Sequence, residues 1–478
     1  MNSLNTSPAG DSFAALRSTA DRLSTSESLT QAELIDLERN CRPHLDGLIT
    51  HYIETQKLGL EYEEQLWLTV YRYLRKLTDA FASSLWQPAP TTDFALSGKV
   101  LLQNLDSLAL FAKWHYLRYQ PLPKNFWLQM HATYRQSEHL NNTDQAESPD
   151  FQARYLQALM LDTLNRSNML KSEIEQVDSW LKIWCQNLSL EKECDENRHL
   201  FFVDLQEDRG ARRIRETTPK ASYRYWHVDA MTAMLEEMRL QLEEGLPQAF
   251  VENTPLPNAL RVVGYLLSEW SREGYKRQRR GEEREEVSKP AEVVHGILNV
   301  CQHVKNLMIT GISPPSAQSH LIENGWIIEN ESNFGFGASA NVDFNFWLKP
   351  GCLIALDYEL NPDMTVVGVV RSMQQQAGRD GYVGIEMLSH TPNYVRLRQL
   401  TDSGAIMPEA KLFSALYLGK VDERNLPATL VMPVFDFVQR GLYELQTQQF
   451  SRQVRLGGIL EQQDDWVRVV ADMATTDP

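Results

Sequence analysis

The sequence predicts an α+β multidomain protein: a mainly helical N-terminal region, then a small antiparallel β-barrel, then a further β-rich segment at the C-terminus. Three observations carry that reading. Between residues 29 and 190 apolar side chains recur every third or fourth position, the helical period. Beyond about residue 285 the apolar runs shorten and Gly, Pro, Asn and Asp punctuate them, the pattern of strands and turns. The chain has 478 residues, more than one ordinary core accommodates.

Composition narrows the class of function. Hydrophobic residues make up 42% and charged residues 23%, as in soluble globular proteins rather than disordered ones. The net charge of −16 disfavours a general nucleic-acid binder, which needs surplus Lys and Arg to neutralise phosphates. Cys41, Cys185, Cys194, Cys301 and Cys352 lie far apart, with no CxxC pair and no His at metal-ligand spacing; reduced thiols and no metal are expected. Neither a basic-then-apolar leader nor an apolar run near eighteen residues is present, so a cytoplasmic protein without membrane insertion is expected.

The elements follow in order. Residues 1–28, rich in Ser, Thr, Asn and Ala, read as a disordered tail. Thr30 and Glu33 have capping-box spacing, with Leu29 and Leu34 placed as a hydrophobic staple. Leu66, Val70, Leu74, Leu77, Phe81 and Leu85 form one buried helical face, and Pro121-Leu122-Pro123 turns a helix over 99–120 into another over 124–140. No fixed period appears, so residues 29–190 read as an irregular bundle rather than a repeat array. It includes a polar loop over 141–149 and helical residues 151–187, whose core side chains are Tyr155, Leu159, Leu164 and Trp180.

Residues 191–275 read as an α/β connecting region. HLFFVDL (199–205) is a buried strand, Arg212, Arg213 and Arg215 lie on a loop, and Asp229 caps a helix through Met231, Leu235 and Met238 to about Gly245. A last helix, 258 to about 275, carries Leu260, Val263, Leu267 and Trp270 on one side. Residues 276–400 read as the barrel and 405–478 as the C-terminal β-rich domain. Within them a helix is expected over 291–307, and strands over 326–328, 341–347, 352–358, 366–371 and 382–387. The tail contributes strands over 441–446, 452–461 and 466–472, the last two joined by a turn at 462–465.

Two motifs carry chemistry. The first is KRQRRGEER (276–284), with three residues between Arg280 and Arg284 and with Arg277 and Arg279 beside them. Guanidinium is always charged, grips phosphate with two parallel hydrogen bonds and stacks flat on a base. Alone, such a run also fits a solvated face whose arginines pair with Glu282, Glu283, Glu285 and Glu286. The second is NESNFG (330–335): Asn330 offers an amide to a base edge, Ser332 a hydroxyl, and Gly335 a positive φ or a close approach. Alone, it is an ordinary β-turn.

Both in order, followed by KPGCLIALDYE, VVGVVRSM and YVGIEML, resemble the PilZ family, whose signature is RxxxR ahead of a small β-barrel and [D/N]xSxxG on a strand. The resemblance covers about a quarter of the chain and implies a receptor for cyclic di-GMP. Arg280 and Arg284 would clamp phosphate and stack on guanine, Asn330 and Ser332 would hydrogen-bond the base, and Gly335 would let it approach. Arg279, Arg277 and Arg371 would add contacts. It further implies no catalytic residues, no cofactor besides the ligand, and a bacterial protein partner in motility, adhesion or polysaccharide output, reached through the helical region or the C-terminal segment. The connection between Arg284 and Asn330 is longer than the family's usual one; the helix expected there would cap the barrel or pack on the helical region. His295 and Cys301 within it read as core or surface residues.

Catalytic motifs GxxxxGK[ST], HExxH and GxSxG are missing from the sequence, and Asp464-Asp465 reads as a turn. The alternative function is a protein–protein scaffold whose barrel no longer binds nucleotide. A nucleic-acid adaptor using KRQRR fits the acidic balance poorly.

Overall fold

The computed structural model describes residues 8–25, 29–54, 60–86, 94–141, 151–215, 218–244, 256–272, 285–310, 325–341, 344–345, 347–358, 365–375, 380–419 and 427–473. Its contacts divide the chain into two units, residues 1–252 with 262–277 and residues 253–261 with 278–478.

The first unit is helical: α1 (Pro8–Thr25), α2 (Gln31–Glu54), α3 (Leu60–Trp86), α4 (Phe94–Tyr116), α5 (Phe126–Asn141), α6 (Phe151–Asp162) and α7 (Lys171–Trp184). The tail expected over residues 1–28 is corrected by α1. Phe13, Leu16 and Ala20 recur on one stripe and are buried, and Thr19 Oγ1 lies 2.9 Å from Cys41 Sγ on α2. A composition poor in large apolar groups hid a stripe only three side chains long. At the start of α2 the expected capping box is present: Thr30 N donates to Glu33 Oε2 at 2.9 Å and Glu33 N donates to Thr30 Oγ1 at 3.3 Å. The bonds donated to its carboxylate hold Glu33 below its ordinary value.

Helix α4 is the hub, packing on α2, α3, α5, α6 and α7. Its Lys113, almost fully buried, is held by Glu175 and Asp178, each at 2.8 Å, so its charge is not left unpaired inside. The polar loop expected over 141–149 lies, after Asn141, outside the described residues.

An antiparallel three-stranded sheet of order β2-β1-β3 follows, with β1 (Phe201–Asp204), β2 (Arg212–Arg213) and β3 (Tyr223–Trp226). Strand β1 is the expected buried run, but Arg212 and Arg213, expected on a loop, pair with Phe202 and Phe201. Two further helices, α8 (Asp229–Glu243) and α9 (Leu256–Trp270), come next, α9 ending before the expected position near 275.

The second unit holds two closed barrels. The first contains β4 (Glu285–His295), β5 (Trp326–Ser332), β6 (Gly335–Asn341), β7 (Leu353–Tyr358), β8 (Thr365–Gln375) and β9 (Asp380–Ser389), in the order β4-β5-β6-β9-β8-β7. The second contains β10 (Asn393–Leu400), β11 (Phe413–Leu418), β12 (Thr429–Pro433), β13 (Leu442–Gln446), β14 (Ser451–Gln462) and β15 (Trp466–Met473), in the order β10-β11-β12-β15-β14-β13. The two barrels have one topology, repeated six strands later. Closure leaves neither sheet an open edge.

Three elements differ from expectation here. Residues 291–295, expected in a helix, belong to β4; Pro290 and the helix-prone Ala291-Glu292 obscured a strand that register with β5 and β7 imposes. The strand expected over 341–347 is instead β6, whose glycines and alanines erase the apolar alternation. Strand β10, within the span expected for the first barrel, closes the second by pairing with β11 and β13.

Helix α10 (Ile297–Thr310), which fills the long connection, packs between the barrels. Its Ile297, Val300, Cys301 and Val304 share one core with Leu353 and Val369 of the first barrel and with Leu416 and Trp466 of the second. Each such side chain taken from water contributes about 1.5–3 kcal/mol, so the helix fastens one barrel to the other. Burial there pushes the Cys301 thiol up to about 12. Among the described residues no helix is long and apolar enough to cross a membrane.

Candidate functional site

The NESNFG segment folds as the tight β5–β6 hairpin, with Ser332 opposite Gly335 and Asn333-Phe334 at the turn. Alternation along β6 sends Phe336 and Ala338 into the barrel and Gly335, Gly337 and Ser339 to the other face, where the two glycines are buried and Ser339 is partly exposed. Asn330 is paired with Gly337, and its Nδ2 donates to Tyr382 Oη on β9 at 3.0 Å. Ser332 Oγ donates to Gly335 O at 3.2 Å, and a hydroxyl so engaged still offers its lone pairs to a donor. Amide, hydroxyl and phenol therefore converge on one half-buried outer patch, equipped to meet a planar polar edge.

Gly335 has a structural reason of its own. Its φ is not positive, and a Cβ there would sit 2.1 Å from Ile385 O on β9. The glycine is demanded by the neighbouring strand, before any ligand arrives. Gly337 is required by what covers it: a Cβ would meet Tyr382 Oη at 2.0 Å and the Asn330 amide at 2.6 Å. Tyr382 and Gly337 were missed in the sequence, because only the pairing of β5, β6 and β9 sets them beneath and beside Asn330.

Arg277, Arg279, Arg280 and Arg284 lie outside the described residues. Glu285, the next residue after Arg284, begins β4 and pairs with Glu331, while Glu286 pairs with Asn330. The chain leaving RxxxR thus runs directly alongside the strand that carries NxSxxG. The long connection does not intervene, since it leaves from the far end of β4.

Arg371 on β8 is already engaged. Its Nε donates to Glu386 Oε2 at 2.7 Å and its Nη2 to Glu461 Oε2 on β14 at 2.8 Å. Both carboxylates hold the guanidinium above its ordinary value, and it holds Glu461 below its own despite burial. Because Glu386 pairs with Gly335, this arginine ties the strand beside the motif hairpin to the second barrel. The β14–β15 hairpin continues the tie. Asp464 pairs with Lys349, Asp465 Oδ2 accepts from Ile297 N at 3.0 Å at the start of α10, and Trp466 Nε1 donates to Gly351 O at 3.0 Å. The Asp464-Asp465 turn expected from sequence is present and also latches the barrels. His295 stacks on Trp347 with ring centroids 4.0 Å apart. Among the described residues no cluster of His, Cys, Asp or Glu is placed to hold a metal ion.

No curated protein matches the chain. Its helical N-terminal part, residues 1–195, matches the family described as "Cyclic-di-GMP receptor FimW, N-terminal domain".

Proposed function

We propose that the protein is a cyclic di-GMP receptor that binds the nucleotide on the first barrel and acts without catalysis of its own. The observation that carries this is the outward patch of Asn330, Ser332 and Tyr382, reached directly by the chain that leaves the RxxxR motif. The family match supports it independently, because residues 1–195 contain neither motif.

In this reading Arg280 and Arg284 clamp the phosphates and stack on guanine, with Arg279 and Arg277 adding charge. Asn330 and Ser332 read the base edge, and Tyr382, which lies with the Asn330 amide over Gly337, orients that amide. The arginines fall where the chain passes between its two units, next to residues 277 and 278. Ligand that prefers one arrangement of the units shifts their population toward it, and a protein partner in the cytoplasm reads the change through the helical region or the second barrel.

Calorimetric titration of the full chain with cyclic di-GMP tests the reading. Saturable binding is expected, weakened about tenfold or more by Arg284→Ala, the worth of one charge-assisted contact. Full affinity retained in that variant overturns the assignment. Absence of binding to the wild-type chain favours the scaffold alternative.

A further inference from the structure

A cleft lies within the first unit, and none of its described lining residues belongs to either motif. It has a volume of about 410 Å³ and is lined by Thr163, Phe201, Phe202, Arg212, Arg213 and Arg215, with Glu269 at its side. Its construction is specific. Antiparallel pairing sets Arg212 across from Phe202 and Arg213 across from Phe201, and the two guanidinium carbons lie 4.8 Å and 5.3 Å from those ring centroids. The rings are buried and serve as a flat base for the cations.

The two arginines are used differently. Arg213 donates through Nη2 to Glu269 O at 2.6 Å and Ser271 O at 2.9 Å, which ties β2 to the end of α9. Arg212 has no such role. Its side chain is 31% exposed and forms an ion pair with Glu207 Oε2 at 3.0 Å from Nη2, but neither Nε nor Nη2 meets an aligned hydrogen-bond acceptor among the described residues. Donors left so by the protein can be satisfied by a bound anion. Arg215 adds an exposed positive charge at the same cleft. Glu269 opposes an anion at the side of the cleft; burial pushes its carboxyl above the ordinary value.

We propose that this cleft is a separate binding site for a small phosphate-bearing molecule, with Arg212 as its principal ligand. Two phosphate oxygens can accept from Nε and Nη2 in the parallel geometry a guanidinium favours. The volume suits a molecule between pyrophosphate and a mononucleotide in size.

Calorimetric titration of the full chain with inorganic pyrophosphate is the test. Saturable binding is expected, weakened about tenfold by Arg212→Ala, a loss equal to one charge-assisted contact. It should persist in Arg280→Ala/Arg284→Ala, which removes the other arginine motif. Glu207→Gln keeps side-chain size, removes the competing charge and should tighten binding about threefold. The proposal is overturned if wild type shows no saturable binding, if Arg212→Ala binds as wild type while folded by circular dichroism, or if the Arg280/Arg284 variant alone abolishes binding. Equal or weaker binding by Glu207→Gln also counts against it.

Discussion

The two barrels share a strand order and differ where a ligand site would be. In the first, β5 and β6 meet in a two-residue turn, and the outer face of β6 and β9 is floored by Gly335, Gly337 and Gly384. In the second, the corresponding strands β11 and β12 are ten residues apart, and β12 and β15 contain no glycine. Every residue of β12 is buried. One topology has therefore been finished in two ways. The glycines of the first barrel admit close neighbours, Ile385 O at Gly335, Tyr382 Oη and the Asn330 amide at Gly337 and Ser372 Oγ at Gly384, whereas β12 and β15 of the second barrel pack through larger side chains. A shared fold does not carry a shared site.

Substitutions can break this contrast, in decreasing order of effect. Gly335→Ala should be the most damaging, because its Cβ would stand 2.1 Å from Ile385 O and backbone must move. A loss of about 3 kcal/mol is expected in urea unfolding, with cyclic di-GMP binding lost alongside. A stable variant would mean that the first barrel tolerates side chains on its outer face as the second does.

Arg371→Ala comes next. It strands Glu386 and Glu461, but Arg371 is 36% exposed, so solvent tempers the loss to about 1–2 kcal/mol. Its pH dependence has a definite sign. Folding lowers the Glu461 pKa from its ordinary 4.5, so the pair's contribution is present above that value and is lost as pH falls through the lower folded value. The variant should show a weaker decline in stability on acidification than wild type, measured by urea midpoints across the acid range.

Tyr382→Phe removes the acceptor that holds Asn330 and should leave stability within about 1 kcal/mol. Cyclic di-GMP affinity should fall about threefold, the cost of freeing a positioned amide. Unchanged affinity would make the hydrogen bond incidental to the site.

Gly458→Ala on β14 is the control from the second barrel. A Cβ there meets nothing within 4 Å, so a change of no more than about 1 kcal/mol, most simply a gain, is expected. A large loss would show that Gly458 is constrained despite the space around it.

Much of the fold was legible in the sequence. Helical periodicity announced the bundle, the Thr30–Glu33 spacing announced its cap, and short punctuated apolar runs announced the barrel strands. Such signals are local: period and capping depend on residues within a turn or two of each other. NESNFG was legible as a polar hairpin for the same reason. The strands β4 and β6 were not, because Pro290 and a run of Gly and Ala carry no alternation; their pairing comes from partners far along the chain.

The sequence by itself therefore determined the order of helical and β regions, the residue types of the two candidate motifs, and the hairpin that carries one of them. Tertiary structure alone decided that the β segments close into two barrels of one topology, with α10 packed between them. It also decided that Gly335 answers to β9, that Tyr382 holds Asn330, and that Arg371 serves the neighbouring barrel. The physical reason is common to all of these. Each depends on strand register and close packing between residues distant in sequence, and no local pattern encodes which carbonyl will approach a glycine or which carboxylate will meet an arginine.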